Sequence, residues 1–254
     1  MLLQSLFLTV AVAASICAAA NATWFRPKKG QSVVYAINDA SVPASPVTKS
    51  GLKLDADIYI VDLFDTSATT VARYKREGKH VVAYFSAGSY ESGRPDSARF
   101  DKACYEGAKM DGWPEYWLNT GSATCLRNIH AVMTKRIQLA KQKGFDAIDP
   151  DNIAASENKT GWPISSKQSI AYLRWLAKTA HDNGLGCGLK NGGAYLKRDS
   201  SLVSRFDFSV IEQCEEYNEC KVYAGFPSAG KLVRARSCPS SCESIQWDDA
   251  LGSA

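Results

Sequence analysis

A chain of 254 residues, 45% hydrophobic and 22% charged, has the composition of an ordinary globular protein and not of a disordered or fibrous one. Its net charge of +4 comes from Lys and Arg residues scattered along the chain. Without a basic run or stripe, the sequence gives no footprint for nucleic acid. No internal repeat, low-complexity tract or long linker divides it, so one domain is expected.

Residues 1–20 carry no charged side chain, with an apolar stretch over 6–14 and small residues over 18–20. That pattern predicts a secretory signal peptide cleaved near Ala20, leaving 21–254 as the mature domain. The N-terminal amine supplies the only positive charge ahead of the apolar stretch. No later segment approaches the ~20 apolar residues of a membrane span, so a secreted, extracellular protein without membrane contact is expected.

A first strand is expected over 33–37, ending at Asn38-Asp39. A second, over 58–64, carries Asp62 and stops at Asp65-Thr66, residues suited to cap the next helix. That helix ends near Gly78, and a third strand over 80–85 runs through Tyr84 into Ser86-Ala87-Gly88-Ser89. A long insertion, 90–127, follows and contains Trp113, Tyr116 and Trp117. These aromatic residues suit either stacking on sugar rings or a minicore of the insertion itself, and the sequence leaves both open.

Ile129, Met133, Ile137 and Ala140 recur at helical spacing, and Gly144 is a natural stop. The apolar run 145–148 then predicts a fourth strand that ends in Asp149, Pro150, Asp151 and Asn152. Side chains alternate along a strand, so Asp149 and Asp151 point the same way. A helix is expected over 166–183, followed by a fifth strand over 185–190 that ends in Lys190 and Asn191. The sixth, over 208–211, leads into Glu212-Gln213, and weaker strands are expected over 231–236 and 243–247. Eight strands interleaved with helices, and no Gly-rich phosphate loop, predict an α/β fold of the (β/α)8 barrel type with an insertion after the third strand.

Of the 8 cysteines, Cys17 falls in the signal segment. In an oxidising compartment the close pairs are expected to bridge as Cys104–Cys125, Cys214–Cys220 and Cys238–Cys242, with Cys187 a buried free thiol. Two sequons occur, Asn21-Ala22-Thr23 and Asn158-Lys159-Thr160, the second in an exposed loop open to glycosylation. The only histidines are His80, His130 and His181. None has zinc-ligand spacing, so neither metal nor organic cofactor is expected, and an imidazole-based hydrolase is disfavoured.

Asp62, Tyr84, Asp149, Asp151, Lys190, Asn191 and Glu212 all fall at the C-terminal ends of expected strands, the active face of such a barrel. Taken singly, each also suits a cap or a turn. Glycoside hydrolysis needs two carboxyl groups flanking the scissile bond. Asp151 and Glu212 end non-adjacent strands and so can face one another across the barrel mouth. Crowding and burial around Asp149 are the conditions that keep one acid protonated.

The stretches Phe-Ser-Ala-Gly-Ser-Tyr-Glu (85–91), Gly-Phe-Asp-Ala-Ile-Asp-Pro-Asp-Asn (144–152), Gly-Leu-Lys-Asn (188–191) and Glu-Gln-Cys (212–214) together resemble glycoside hydrolase family 114. The resemblance implies a TIM barrel with endo-α-1,4-polygalactosaminidase activity on polymers such as the fungal galactosaminogalactan of biofilms. It places the catalytic pair on Asp151 and Glu212. Glu212 is then expected as general acid/base and, if the enzyme retains configuration, Asp151 as nucleophile; a carboxyl separation of ~5 Å implies retention and ~6.5–9.5 Å inversion. A cationic, partly deacetylated polymer suits an acidic cleft, and Asp62, Asp149 and Glu215 are expected amine contacts. Tyr84, Asn152, Lys190, Asn191 and Trp247 complete the expected substrate-binding set. The expected partner is the polysaccharide, bound by a monomer. Two rivals stay open: a barrel glycosidase acting on a neutral α-glycan, and a non-catalytic carbohydrate-binding barrel.

Overall fold

The computed structural model describes residues 23–37 and 55–235. The expected signal segment, Asn38-Asp39, the strand expected at 243–247, the expected Cys238–Cys242 pair and Trp247 lie outside the described residues.

Nine strands are described: β1 Val33–Ala36, β2 Ile58–Asp62, β3 His80–Ser86, β4 Ser89–Glu91, β5 Glu115–Trp117, β6 Ala147–Asp151, β7 Gly186–Lys190, β8 Phe208–Ile211 and β9 Val233–Ala235. Seven of them form one parallel sheet in the order β1-β2-β3-β6-β7-β8-β9, while β4 and β5 pair as an antiparallel hairpin. The sheet curls into a nearly closed barrel. Strands are about 4.8 Å apart, so β1 and β9 would stand about 29 Å apart in a flat sheet. Instead the Arg234 guanidinium of β9 lies 4.5 Å from the centre of the Tyr35 ring of β1. The expected (β/α)8 architecture is thus met by seven described barrel strands.

Alternation along these strands sorts their side chains into two cores. Ile58, Ile60, Val82, Ala147, Phe208 and Val210 point into the barrel. Their neighbours Tyr59, Val61, Val81, Ala83, Ile148 and Ile211 point out against the helices. The principal helices are α1 Ala68–Arg76, α2 Ala123–Lys143 and α3 Ser166–Asp182.

Their boundaries follow local chemistry. Ser67, rather than Asp65-Thr66, caps α1, its hydroxyl accepting from Thr70 N at 3.1 Å. The α2 helix closes on Gly144 at φ +91°, a left-handed conformation that glycine adopts without a Cβ penalty. Gln168 and Ser165 form a capping box at the start of α3. The strand expected over 145–148 instead occupies Ala147–Asp151, because the Phe145 amide still bonds back to Ala140 and finishes the helix. Both acids are therefore strand residues, not loop residues.

The insertion is tied down at several points. Cys104–Cys125 staples it to α2; Cys214–Cys220 also forms, and Cys187 is a buried free thiol. Buried Arg136 of α2 grips both oxygens of Asp96 at 2.8 Å and the Ser86 carbonyl at 2.7 Å. At Gly88 a Cβ would lie 1.7 Å from the Asn152 carbonyl oxygen, so the chain after β3 presses directly on the end of β6.

Candidate active site

The inward parity of each strand continues to its C-terminal end. Beyond Ile58 and Ile60 comes Asp62; beyond Val82 comes Tyr84; beyond Ala147 come Asp149 and Asp151; beyond Phe208 and Val210 comes Glu212. Lys190 follows outward-facing Leu189 and enters the same space from β7. The sheet order places β7 between β6 and β8, so Lys190 stands between Asp151 and Glu212.

Its ammonium uses all three donors. Lys190 Nζ lies 3.2 Å from Asp151 Oδ2, 3.1 Å from Glu212 Oε1 and 2.8 Å from the Tyr35 hydroxyl. The side chain is only 1% exposed. Burial opposes the charge, but Asp151, Asp149 and Glu212 outweigh it and hold the amine above its usual range. Lys190 is therefore a fixed cation at working pH.

Beneath it, Asp149 is fully buried. Burial, offset in part by Lys190 and reinforced by Asp151 and Glu212, pushes its carboxyl up to about 7. The Tyr35 hydroxyl donates to it at 3.4 Å. Burial, then neighbouring carboxylates, also raise the Tyr35 and Tyr84 phenols, so both stay neutral. Tyr84 donates to Asp151 Oδ2 at 2.8 Å, and the Asn152 amide donates to Oδ1 at 2.7 Å. With Lys190 added, three donors converge on Asp151.

Asn191 and Asn152 follow the ends of β7 and β6 with left-handed backbones, at φ +52° and +60°. That turn folds the Asn191 side chain over Glu212. Its Nδ2 donates to Glu212 Oε2 and its Oδ1 accepts from the Glu212 amide, both at 3.1 Å. Asn152 turns the other way, toward Ser86 and Ser89 at 3.0 Å each and Glu115 at 3.3 Å. Ser89 also donates to Glu115 across the hairpin, so Asn152 ties both hairpin strands to the end of β6.

A cleft of about 410 Å³ opens over this cluster. From the barrel it is lined by Tyr84, Asp151, Asn152, Lys190, Asn191 and Glu212, and from the insertion by Glu91, Arg94, Asp111, Trp113 and Glu115. Three expected contacts fall elsewhere. Asp62 does not line the cleft: Arg94 pairs with it at 2.8 Å, and the amides of Phe64 and Asp65 occupy its other oxygen. Asp149 is sealed below Lys190 and Tyr35. Glu215 borders a separate, mainly apolar hollow of about 540 Å³ beside Ile211, Tyr223 and Leu232, away from the carboxylate pair. His80 opens β3 and stacks on Phe25, and His181 pairs with Asp207 just before β8, both at the opposite end of the strands.

Sequence reasoning passed over Tyr35, Arg94 and Glu115. Parity along β1 was enough to find Tyr35, since Val33 and Tyr35 share its inward face. Arg94 lies three residues after Glu91 and pairs with it at 2.8 Å, a spacing readable in the chain. Glu115 carried no signal before the hairpin register set it opposite Glu91.

The chemistry this geometry allows is specific. Both legs from the Lys190 nitrogen, 3.2 and 3.1 Å, cap the separation of Asp151 Oδ2 and Glu212 Oε1 at 6.3 Å. Inverting glycosidases hold their carboxyl groups roughly 6.5–9.5 Å apart to admit water, and retaining ones about 5–5.5 Å apart. The 6.3 Å ceiling on this one oxygen pair lies between the two ranges.

Comparison with known proteins identifies the class of enzyme. The family model of glycoside-hydrolase family GH114 matches residues 14–241. The chain is similar to Aspergillus fumigatus Ega3, whose crystal structure was solved in complex with galactosamine. That likeness has 35% identity, covers 87% of this chain and 86% of the other, and has a TM-score of 0.71. A variant of the glycoside hydrolase domain of Pseudomonas aeruginosa PelA shares the fold: 12% identity, 80% and 81% coverage, TM-score 0.56. No curated protein sequence matches. The chain is a glycoside hydrolase and belongs to family GH114.

Proposed function

We propose that this enzyme cleaves α-1,4-linked, galactosamine-containing polysaccharide within the chain and with retention of configuration, using Asp151 and Glu212. The carrying observation is the Lys190 bridge, which keeps one oxygen of each carboxylate within 6.3 Å of the other. Asp151 is the nucleophile: its side chain is 15% exposed and three donors fix it. Glu212, at 40% exposed, is open to the water that the second step consumes.

In the first step an Asp151 oxygen attacks the anomeric carbon, while Glu212 gives its proton to the departing glycosidic oxygen. In the second, Glu212 takes a proton from water, whose oxygen attacks the same carbon and frees the Asp151 carboxylate. These steps draw only on side chains named above.

The choice of an amino-sugar polymer rests on charge. Five carboxylates line the cleft (Glu91, Asp111, Glu115, Asp151 and Glu212) against two cations, Arg94 and Lys190. The cleft is thus acidic although the chain carries +4 overall. Such a groove attracts a partly deacetylated, cationic chain. The galactosamine bound by Ega3 supports the same choice. We also infer secretion, from the uncharged residues 1–20 with their apolar stretch over 6–14 and from disulfides of the kind that persist in oxidising compartments.

The test is mass spectrometry of products from partly deacetylated and fully acetylated α-1,4-galactosamine polymers. Short oligomers are expected from the first substrate and not the second. With Asp151→Asn none is expected, and Glu212→Gln should lower turnover about 10²–10⁴-fold. Equal cleavage of both polymers contradicts the cationic substrate; an intact polymer that still co-sediments with the enzyme contradicts hydrolysis.

A further inference from the structure

The insertion carries three aromatic residues over 113–117, and the fold uses two of them. Trp117 is buried with Ala108 and Met110 against Trp162, whose indole donates to the Trp117 carbonyl at 3.0 Å. Tyr116 packs on Tyr90 and Tyr105 with ring centres 6.3 and 6.1 Å away. Trp113 is left 62% exposed, yet it lines the cleft that holds Asp151 and Glu212. Packing gives no reason for an indole there.

Its support is braced. The Met110 amide bonds to the Glu115 carbonyl at 2.9 Å, closing the loop that carries Trp113, and Met110 anchors that loop in the small core beside Trp117. Asp111 and Glu115 flank Trp113 in the chain and line the same cleft. Glu115 sits directly opposite Glu91 across the hairpin. Like charges so placed cost stability. Arg94 engages one oxygen of Glu91 at 2.8 Å, and Arg136 Nη1 lies 4.0 Å from the other, so Glu91 is offset by two cations.

We infer that Trp113 is a stacking platform for a second amino-sugar ring of the bound polymer, at a distance from the scissile bond. The inference rests on the proposed substrate and adds a subsite to it. The apolar face of a pyranose covers the indole, as apolar surfaces do on aromatic rings, and an ammonium on that ring is attracted both by the indole face and by Asp111 and Glu115. The platform serves only chains long enough to reach from Asp151 to the insertion.

The experiment compares wild type with Trp113→Ala and Trp113→Phe on two substrates: long, partly deacetylated α-1,4-galactosamine polymer, and the shortest oligosaccharide the enzyme cleaves. Trp113→Ala is expected to raise KM for the polymer about tenfold, equivalent to about 1.4 kcal/mol. Turnover of the short oligosaccharide and the melting temperature should not change, and Trp113→Phe should fall between. An unchanged KM for the polymer overturns the inference. So does an equal loss on both substrates, which would place Trp113 in the chemistry or the folding instead. Should wild type leave the polymer intact, the proposed activity fails, and tryptophan fluorescence still decides on the platform. Quenching by the polymer that disappears in Trp113→Ala supports it, and quenching that persists overturns it.

Discussion

Asp151 Oδ2 and Glu212 Oε1 share one buried ammonium, Lys190 Nζ, at 3.2 and 3.1 Å. The relationship is a product of strand order. Two carboxylates on β6 and β8 face each other only because β7 lies between them, and the residue ending β7 supplies the charge that lets them approach. Without it, Asp149, Asp151 and Glu212 would crowd a nearly closed barrel mouth without the ammonium that bridges two of them.

Replacing Lys190 by Met therefore removes more than packing. Breaking a buried pair by deleting one partner costs about 3–5 kcal/mol, because it strands the other charge. Glu212 is 40% exposed and contributes little of that; the Asp151 leg contributes most. Lys190→Met is expected to lower the denaturation midpoint and to reduce kcat by at least about 100-fold, the scale of losing a fixed charge at a reacting centre. Lys190→Arg should not restore activity, since a planar guanidinium cannot reach three acceptors around one nitrogen. Chemical denaturation and steady-state kinetics check both.

Asp149 sets a pH dependence of stability. Its ordinary value is 3.8, and burial raises it to about 7 in the folded protein. The folded state thus holds the proton more tightly than the unfolded one. The resulting stability is fully present below about 4 and is lost as pH rises through about 7, with a slope approaching 1.4 kcal/mol per pH unit between the two. Lys190, Asp151, Glu212 and Tyr35 are the groups that face it. Asp149→Asn, which keeps the neutral shape, should flatten the melting temperature across pH 4–8. A wild-type slope retained in the variant would contradict this assignment.

Asn191 fixes the rotamer of Glu212 through two 3.1 Å hydrogen bonds. A hydrogen bond to a charged group is worth about 1.5–3 kcal/mol, so Asn191→Ala is expected to lower kcat by about 10- to 100-fold. KM should change far less, because the lost bonds hold Glu212 and not the sugar. A variant with raised KM and intact kcat would make Asn191 a substrate contact instead.

Much of this arrangement was legible in the chain. Strand parity placed Asp149 and Asp151 on one face, and the disulfides Cys104–Cys125 and Cys214–Cys220 followed from short loops. The fourth strand begins later than its apolar run suggests, because Phe145 reads as apolar strand while its amide completes the α2 helix through Ala140. Asp62 and Asp149 looked like contacts because a strand-end position does not reveal what sits above it: Arg94 over one, Lys190 and Tyr35 over the other. Glu115 was invisible because only pairing of β4 with β5 brings it beside Glu91. Local pattern gives the side of a strand; long-range contacts give the partner.

The central claim is that Asp151 and Glu212, held close by Lys190, act by double displacement. Proton NMR of the first products, recorded before the anomers equilibrate, tests it most directly on an α-1,4-galactosamine oligosaccharide. Reducing ends released first as the α-anomer are the expected result. Release as the β-anomer would mean single displacement by water, and the short carboxylate spacing would not be the catalytic one.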